Sequence, residues 1–133
     1  MQKGALTYLL DTDIVIWILR NYAPILDALE KLIHTDPLLI STITVAEVYK
    51  NIYIKETNQF DKLLALHAVI PVSVPVAKKA GLYWQEHNKK LKNLSITDCI
   101  IAATAHDQNA PLLTLNTRHF PMQDIRVMDP LRS

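Results

Sequence analysis

Apolar positions recur along this chain in two rhythms. Some come as short, nearly unbroken runs: Leu6 to Leu10, Leu38 to Ser41, Val69 to Val74, Leu112 to Leu115 and Ile125 to Met128. Runs of that length, closed by Asp, Ser, Pro or Asn, predict buried strands. Between them, apolar residues return every three or four positions. Ile25, Leu26, Leu29, Leu32 and Ile33 share one face of a helix over Pro24 to His34, and Val45, Val48 and Ile52 share one over Thr44 to Tyr53. The same period marks Ile14 to Arg20, Phe60 to His67, Ala77 to Leu91 (led in by Pro75) and Ile96 to His106. Strands that alternate with pairs of helices predict an α/β fold: a mostly parallel sheet of four or five strands with helices on both faces. No repeat, linker or low-complexity tract divides residues 1–133, so a single domain is expected.

Composition narrows the functions such a fold can carry. A chain of 133 residues, half of them hydrophobic, buries roughly two-thirds of its unfolded surface and needs no disulfide. Its one cysteine, Cys99, lies in an apolar run and reads as a small buried hydrophobe in a reducing compartment. No leader-like segment and no run approaching the ~20 apolar residues of a membrane span is present. A cytoplasmic location is the expectation. Only Gly4 and Gly81 occur, so neither the P-loop nor the dinucleotide-binding glycine pattern can be written. Net charge is +1, which excludes a basic tail without excluding an enzyme that acts on nucleic acid.

The acids carry the chemistry. In an open parallel sheet, ligands gather outside the carboxyl ends of the strands. Asp11 closes the first run, Glu47 is expected in the first turn of the helix after the second, Asp98 opens the helix before the fourth, and Asn116 follows the fourth. Capping explains each acid singly: Thr44-Val-Ala-Glu47 and Ser95-Ile-Thr-Asp98 resemble capping boxes, and Asp11 or Asp13 suits an N-cap. Their conjunction at one rim is what points further. Two carboxylates ~4 Å apart repel by roughly 4 kcal/mol at an effective dielectric near 20, so such a rim binds a proton or a cation. Oxygen-only donors suit Mg²⁺ or Mn²⁺, and the scarcity of cysteine and clustered histidine argues against zinc.

The segments Tyr8-Leu-Leu-Asp11-Thr-Asp13, Ser41-Thr-Ile-Thr44-Val-Ala-Glu47, Ile96-Thr-Asp98-Cys-Ile-Ile-Ala-Ala and Leu113-Thr114-Leu-Asn116-Thr-Arg-His119-Phe120 resemble, in order and spacing, the PIN-domain nucleases. The likeness is nearest to the VapC-type toxins of toxin–antitoxin pairs. It implies a PIN-like three-layer sandwich and a metal-dependent endoribonuclease. Asp11, Glu47 and Asp98 would ligate Mg²⁺ or Mn²⁺, with Asn116 standing where many members carry a fourth aspartate. An amide there lowers the charge and favours one well-held cation over two. Thr12 and Thr114 are placed to hydrogen-bond the acids, and Asp13 ranks below them. The resemblance also implies an RNA substrate, a VapB-type antitoxin partner and a homodimer, for which the helices near Trp17, Ile25 and Leu29 are the candidate face.

Other residues have weaker readings. Arg118 and His119 suit a substrate phosphate or a solvated loop, and Trp17 and Trp84 suit base stacking or packing. Lys89, Lys90 and Lys92 form either a solvated helix end or an RNA-tracking patch. Two rival functions stand beside the nuclease. In a haloacid-dehalogenase-like phosphatase, Asp11 would be the nucleophile and Asp13 the general acid, but no Gly-Asp pair follows. In a non-catalytic binding module the rim would hold RNA or protein without cutting it.

Overall fold

The structure, a computed structural model, describes residues 7–32 and 37–132. Leu6, at the start of the first predicted strand, and Ile33 and His34, at the end of the second predicted helix, lie outside the described residues. Five strands alternate with six helices: β1 (Leu9–Leu10), α1 (Thr12–Leu19), α2 (Ala23–Leu32), β2 (Leu39–Ser41), α3 (Thr42–Asn51), α4 (Thr57–Leu66), β3 (Ala68–Ile70), α5 (Val74–His87), α6 (Ile96–Gln108), β4 (Leu112–Leu113) and β5 (Val127–Met128). The sheet order is β3-β2-β1-β4-β5, and every neighbouring pair is parallel. The α/β sandwich expected from the two rhythms is the fold observed.

Side chains alternate across this sheet with the period of two that a pleated strand imposes. Leu9, Leu39 and Leu112 face the layer formed by α5 and α6, where Val76, Ala80, Ile101 and Ala102 are buried. Tyr8, Leu10, Leu38 and Leu113 face the opposite layer, with Ile14, Val15, Ile25, Leu29, Val48 and Phe60 from α1 to α4. A core on both faces explains why the strand runs read as solidly apolar. Ile25 and Leu29 belong to that core (0% and 8% exposed), so a dimer face on these helices would be formed by their exposed neighbours and not by these two side chains. Of that group Trp17 is the exposed member, at 37%, and it lies against Tyr22 with ring centroids 4.6 Å apart.

Several boundaries fall elsewhere than the sequence predicts. Strand β3 ends at Ile70, because Pro71 cannot donate to the ladder, and Val74 already belongs to α5 under a Ser73 cap. Helix α5 stops at His87, before Leu91, so Lys89, Lys90 and Lys92 lie in the exposed turn beyond it. With glycine so scarce, asparagine takes the left-handed positions: Asn21 (φ 55°) follows α1 and Asn109 (φ 50°) caps α6. Among the described residues no helix is long and apolar enough to cross a membrane.

Strand β1 lies between β2 and β4, so the chain leaves it in one direction and returns on its other side. That reversal makes a topological switch point at the carboxyl ends of β1 and β4, where a crevice opens in such sheets.

Candidate active site

Asp11 is the first residue past β1 and the N-cap of α1. Its backbone N–H continues the ladder by donating to the Leu113 carbonyl at 2.9 Å. The residue is 6% exposed, and its carboxylate is satisfied on both oxygens. Oδ1 accepts the Thr12 N–H at 2.8 Å, and Oδ2 accepts the Thr114 hydroxyl at 2.7 Å. Burial, reinforced by the charges of Asp13 and Asp98, pushes the Asp11 carboxyl up to about 7 against the pull of those two donors. Ordinary capping leaves an acid at the surface. This one is held in the interior edge of the rim.

Asp13 lies in the first turn of α1 and reaches across to the segment after β4. Its Oδ1 accepts the Ile14 N–H at 2.8 Å, while Oδ2 accepts both the Leu115 N–H and the Asn116 side-chain NH₂ at 3.1 Å. Burial raises its carboxyl, as do Asp129 and Asp98, while its backbone donors lower it. Ranked last from the sequence, Asp13 is the acid most firmly tied into the rim. The D-x-D spacing at the helix start was the available signal. Its meaning depends on β4 lying beside β1.

Glu47 does not lie in a first helical turn. Ser41 caps α3 by accepting the Ile43 N–H at 3.2 Å, so the helix begins at Thr42 and Glu47 falls in the second turn. Thr44 is therefore not a cap. It is fully buried inside the helix, and its hydroxyl has no hydrogen-bond partner among the described residues. The Glu47 side chain is tied to α1 instead, where its Oε1 accepts the Thr12 hydroxyl at 2.7 Å. Thr12 thus holds Asp11 through its N–H and Glu47 through its hydroxyl.

Asp98 stands in the first turn of α6, under the Ser95 cap as the sequence suggests, with its N–H donating to Ser95 Oγ at 3.0 Å. Its carboxyl is raised by burial and by Glu47, and lowered by Ser95 and by His119. His119 Nδ1 sits 3.5 Å from Asp98 Oδ2, so this loop residue belongs to the rim, whereas Arg118 is simply exposed. Cys99 is fully buried, and burial together with the Asp98 charge pushes its thiol up to about 11, which makes it an inert hydrophobe.

Asp13 and Asp98 raise the Asp11 carboxyl, Asp98 raises that of Asp13 and Glu47 that of Asp98, yet among the described residues no three His, Cys, Asp or Glu side chains close into a metal-holding group. The donor set still fits a hard cation. It is all oxygen, and Mg²⁺ keeps several waters and takes only one or two carboxylates directly. Acids that raise one another's proton affinity at a rim also gain most from a nearby positive charge. Zinc, which prefers a closed nitrogen and sulfur cage, does not match.

A family model described as PIN domain matches residues 8–124, and the chain belongs to the PIN-domain family. Its relatives narrow this to the VapC-type toxins. A protein named ribonuclease VapC10 from Mycobacterium tuberculosis is 33% identical over 114 residues, 86% of each chain. A toxin–antitoxin complex from Klebsiella pneumoniae contains a chain that matches at TM-score 0.78 and 27% identity, covering 93% of this chain and 98% of that one. The VapBC2 complex from Rickettsia felis, bound to a DNA fragment from their promoter, matches at TM-score 0.77 and 26% identity over 92% and 98%.

Proposed function

We propose that this protein is a metal-dependent endoribonuclease and the toxin of a type II toxin–antitoxin system. The observation that carries the reading is Asp11: a buried carboxylate at the switch point, fixed on both oxygens and loaded with the charge of neighbouring acids. Burying an acid in this way costs stability, which a fold has no reason to bear for capping alone.

Asp11, Glu47 and Asp98 would hold Mg²⁺ or Mn²⁺, through direct contacts and waters, with Asn116 completing the rim. A cation held there lowers the pKa of a bound water and offsets charge on the phosphodiester as it is cut. Thr114 and Thr12 keep Asp11 and Glu47 in fixed orientations, so that little reorganisation is needed on binding. Ser95 holds the start of α6 and with it Asp98. The exposed side of Asn116, Arg118 and His119 is open to a polymer such as RNA.

The likeness to chains of a toxin–antitoxin complex and of VapBC2 supports an antitoxin partner for this chain as well. Homodimerisation is a further part of the reading. The phosphatase reading, with Asp11 as nucleophile and Asp13 as general acid, is disfavoured because no Gly-Asp pair follows in the chain. The non-catalytic binding module is the second reading, favoured by the open grouping of the acids. Incubating purified protein with total cellular RNA decides between them. Cleavage in Mg²⁺ that stops with a chelator supports the nuclease, and intact RNA in both conditions supports the binding module.

A further inference from the structure

We propose that Asp13 is a positioning residue whose carboxylate locks the Asn116 amide, leaving the carbonyl oxygen of Asn116 as the atom that faces a cation or its water. This rests on the metal-dependent reading above. Asn116 and Asp13 are 103 residues apart in the chain and meet only because β4 pairs with β1. A carboxylate accepts hydrogen bonds and donates none, so the amide can face it only through its NH₂ group. The 3.1 Å bond from Asn116 Nδ2 to Asp13 Oδ2 therefore decides which end of the amide is left over. Asp13 is itself immobilised by the Ile14 and Leu115 N–H groups, and the second of these also fixes the backbone just before Asn116.

The lock matters because an amide has two unlike ends. Turned one way, Asn116 offers an oxygen donor. Turned the other, it offers an NH₂ group, which repels a cation. Asn116 is exposed, so packing does not choose between them. A carboxylate at position 116 has two equivalent oxygens and would need no lock. Beside Asp13, however, it would face a like charge.

A double-mutant cycle reads this directly, with Mn²⁺ binding followed by electron paramagnetic resonance and RNA cleavage measured on the same samples. Asp13→Ala is expected to weaken Mn²⁺ binding and cleavage about 10- to 100-fold, the range for residues that orient a metal's ligands. Asp13→Asn, which still presents an oxygen to the amide, retains most of both. In the Asn116→Asp background, Asp13→Ala is expected to cost nothing or to improve binding. Equal losses from Asp13→Ala in both backgrounds would mean a structural prop only and would overturn the proposal. A wild type that neither binds Mn²⁺ nor cuts RNA overturns the metal-dependent reading and the lock with it. One reading needs no variant: in the wild type, one Asn116 side-chain NH proton should be shifted downfield and protected from exchange. Two unshifted, rapidly exchanging protons would equally refute the lock.

Discussion

The Thr114 hydroxyl donates to Asp11 Oδ2 at 2.7 Å while accepting the Asn116 backbone N–H at 3.0 Å. One fully buried side chain thus joins the end of β1 to the turn after β4 and aligns two residues of the rim. Removing its oxygen affects both partners. Thr114→Val keeps the shape but leaves a buried carboxylate oxygen and an N–H without their partner, at about 1–3 kcal/mol for each group left unsatisfied. RNA cleavage should fall about 10- to 100-fold. Thr114→Ser retains the hydroxyl and should stay near wild type in both melting temperature and rate, which separates loss of the bond from loss of packing.

The buried Thr44 hydroxyl gives a prediction of opposite sign. It lies within α3 with no partner among the described residues, so it brings the cost of burying a polar group without the return of a hydrogen bond. Thr44→Val replaces it with a methyl group of the same branching and should stabilise the protein by about 1 kcal/mol. Chemical denaturation measures this. Destabilisation would show that the hydroxyl is bonded after all.

Stability should also respond to pH through His67. This residue caps α4, and its Nδ1 accepts the Leu38 N–H at 2.9 Å, tying the start of β3 to β2. Nδ1 must be unprotonated to accept, and burial holds the imidazole below its ordinary value. The neutral form is thus favoured in the folded state. Its contribution is complete above the unfolded pKa of 6.5 and is lost as the pH falls through the depressed folded value. His67→Asn offers an acceptor oxygen near the same place without titrating. The wild type should therefore lose more stability than H67N between pH 7.5 and pH 5. Parallel losses would remove His67 from the account.

What a sequence makes legible ends where a residue's partners come from another strand. Leu9-Leu10 and Leu112-Leu113 announce buried strands because both sheet faces are covered, so the parallel α/β fold was legible from apolar runs alone. Asp11 was legible for the same reason, since an acid that ends a buried strand must emerge at its rim. Thr44 misled because Ser41, Thr42 and Thr44 all belong to the residue types that cap helices, and the choice between them depends on where β2 stops. Ile25 and Leu29 share a helical face, but a helix does not reveal whether that face meets the sheet or another copy. The place of Asp13 is not legible in the sequence because its partners, Leu115 and Asn116, come within reach only through the β1–β4 register.

A rim built on Asp11 that holds a divalent cation should be visible in a titration with Mn²⁺ followed by electron paramagnetic resonance. The wild type should bind one Mn²⁺ tightly, in competition with Mg²⁺. Asp11→Asn removes the buried charge and should abolish that site. Absence of Mn²⁺ binding by the wild type, or undiminished binding by D11N, would mean that Asp11 holds no cation.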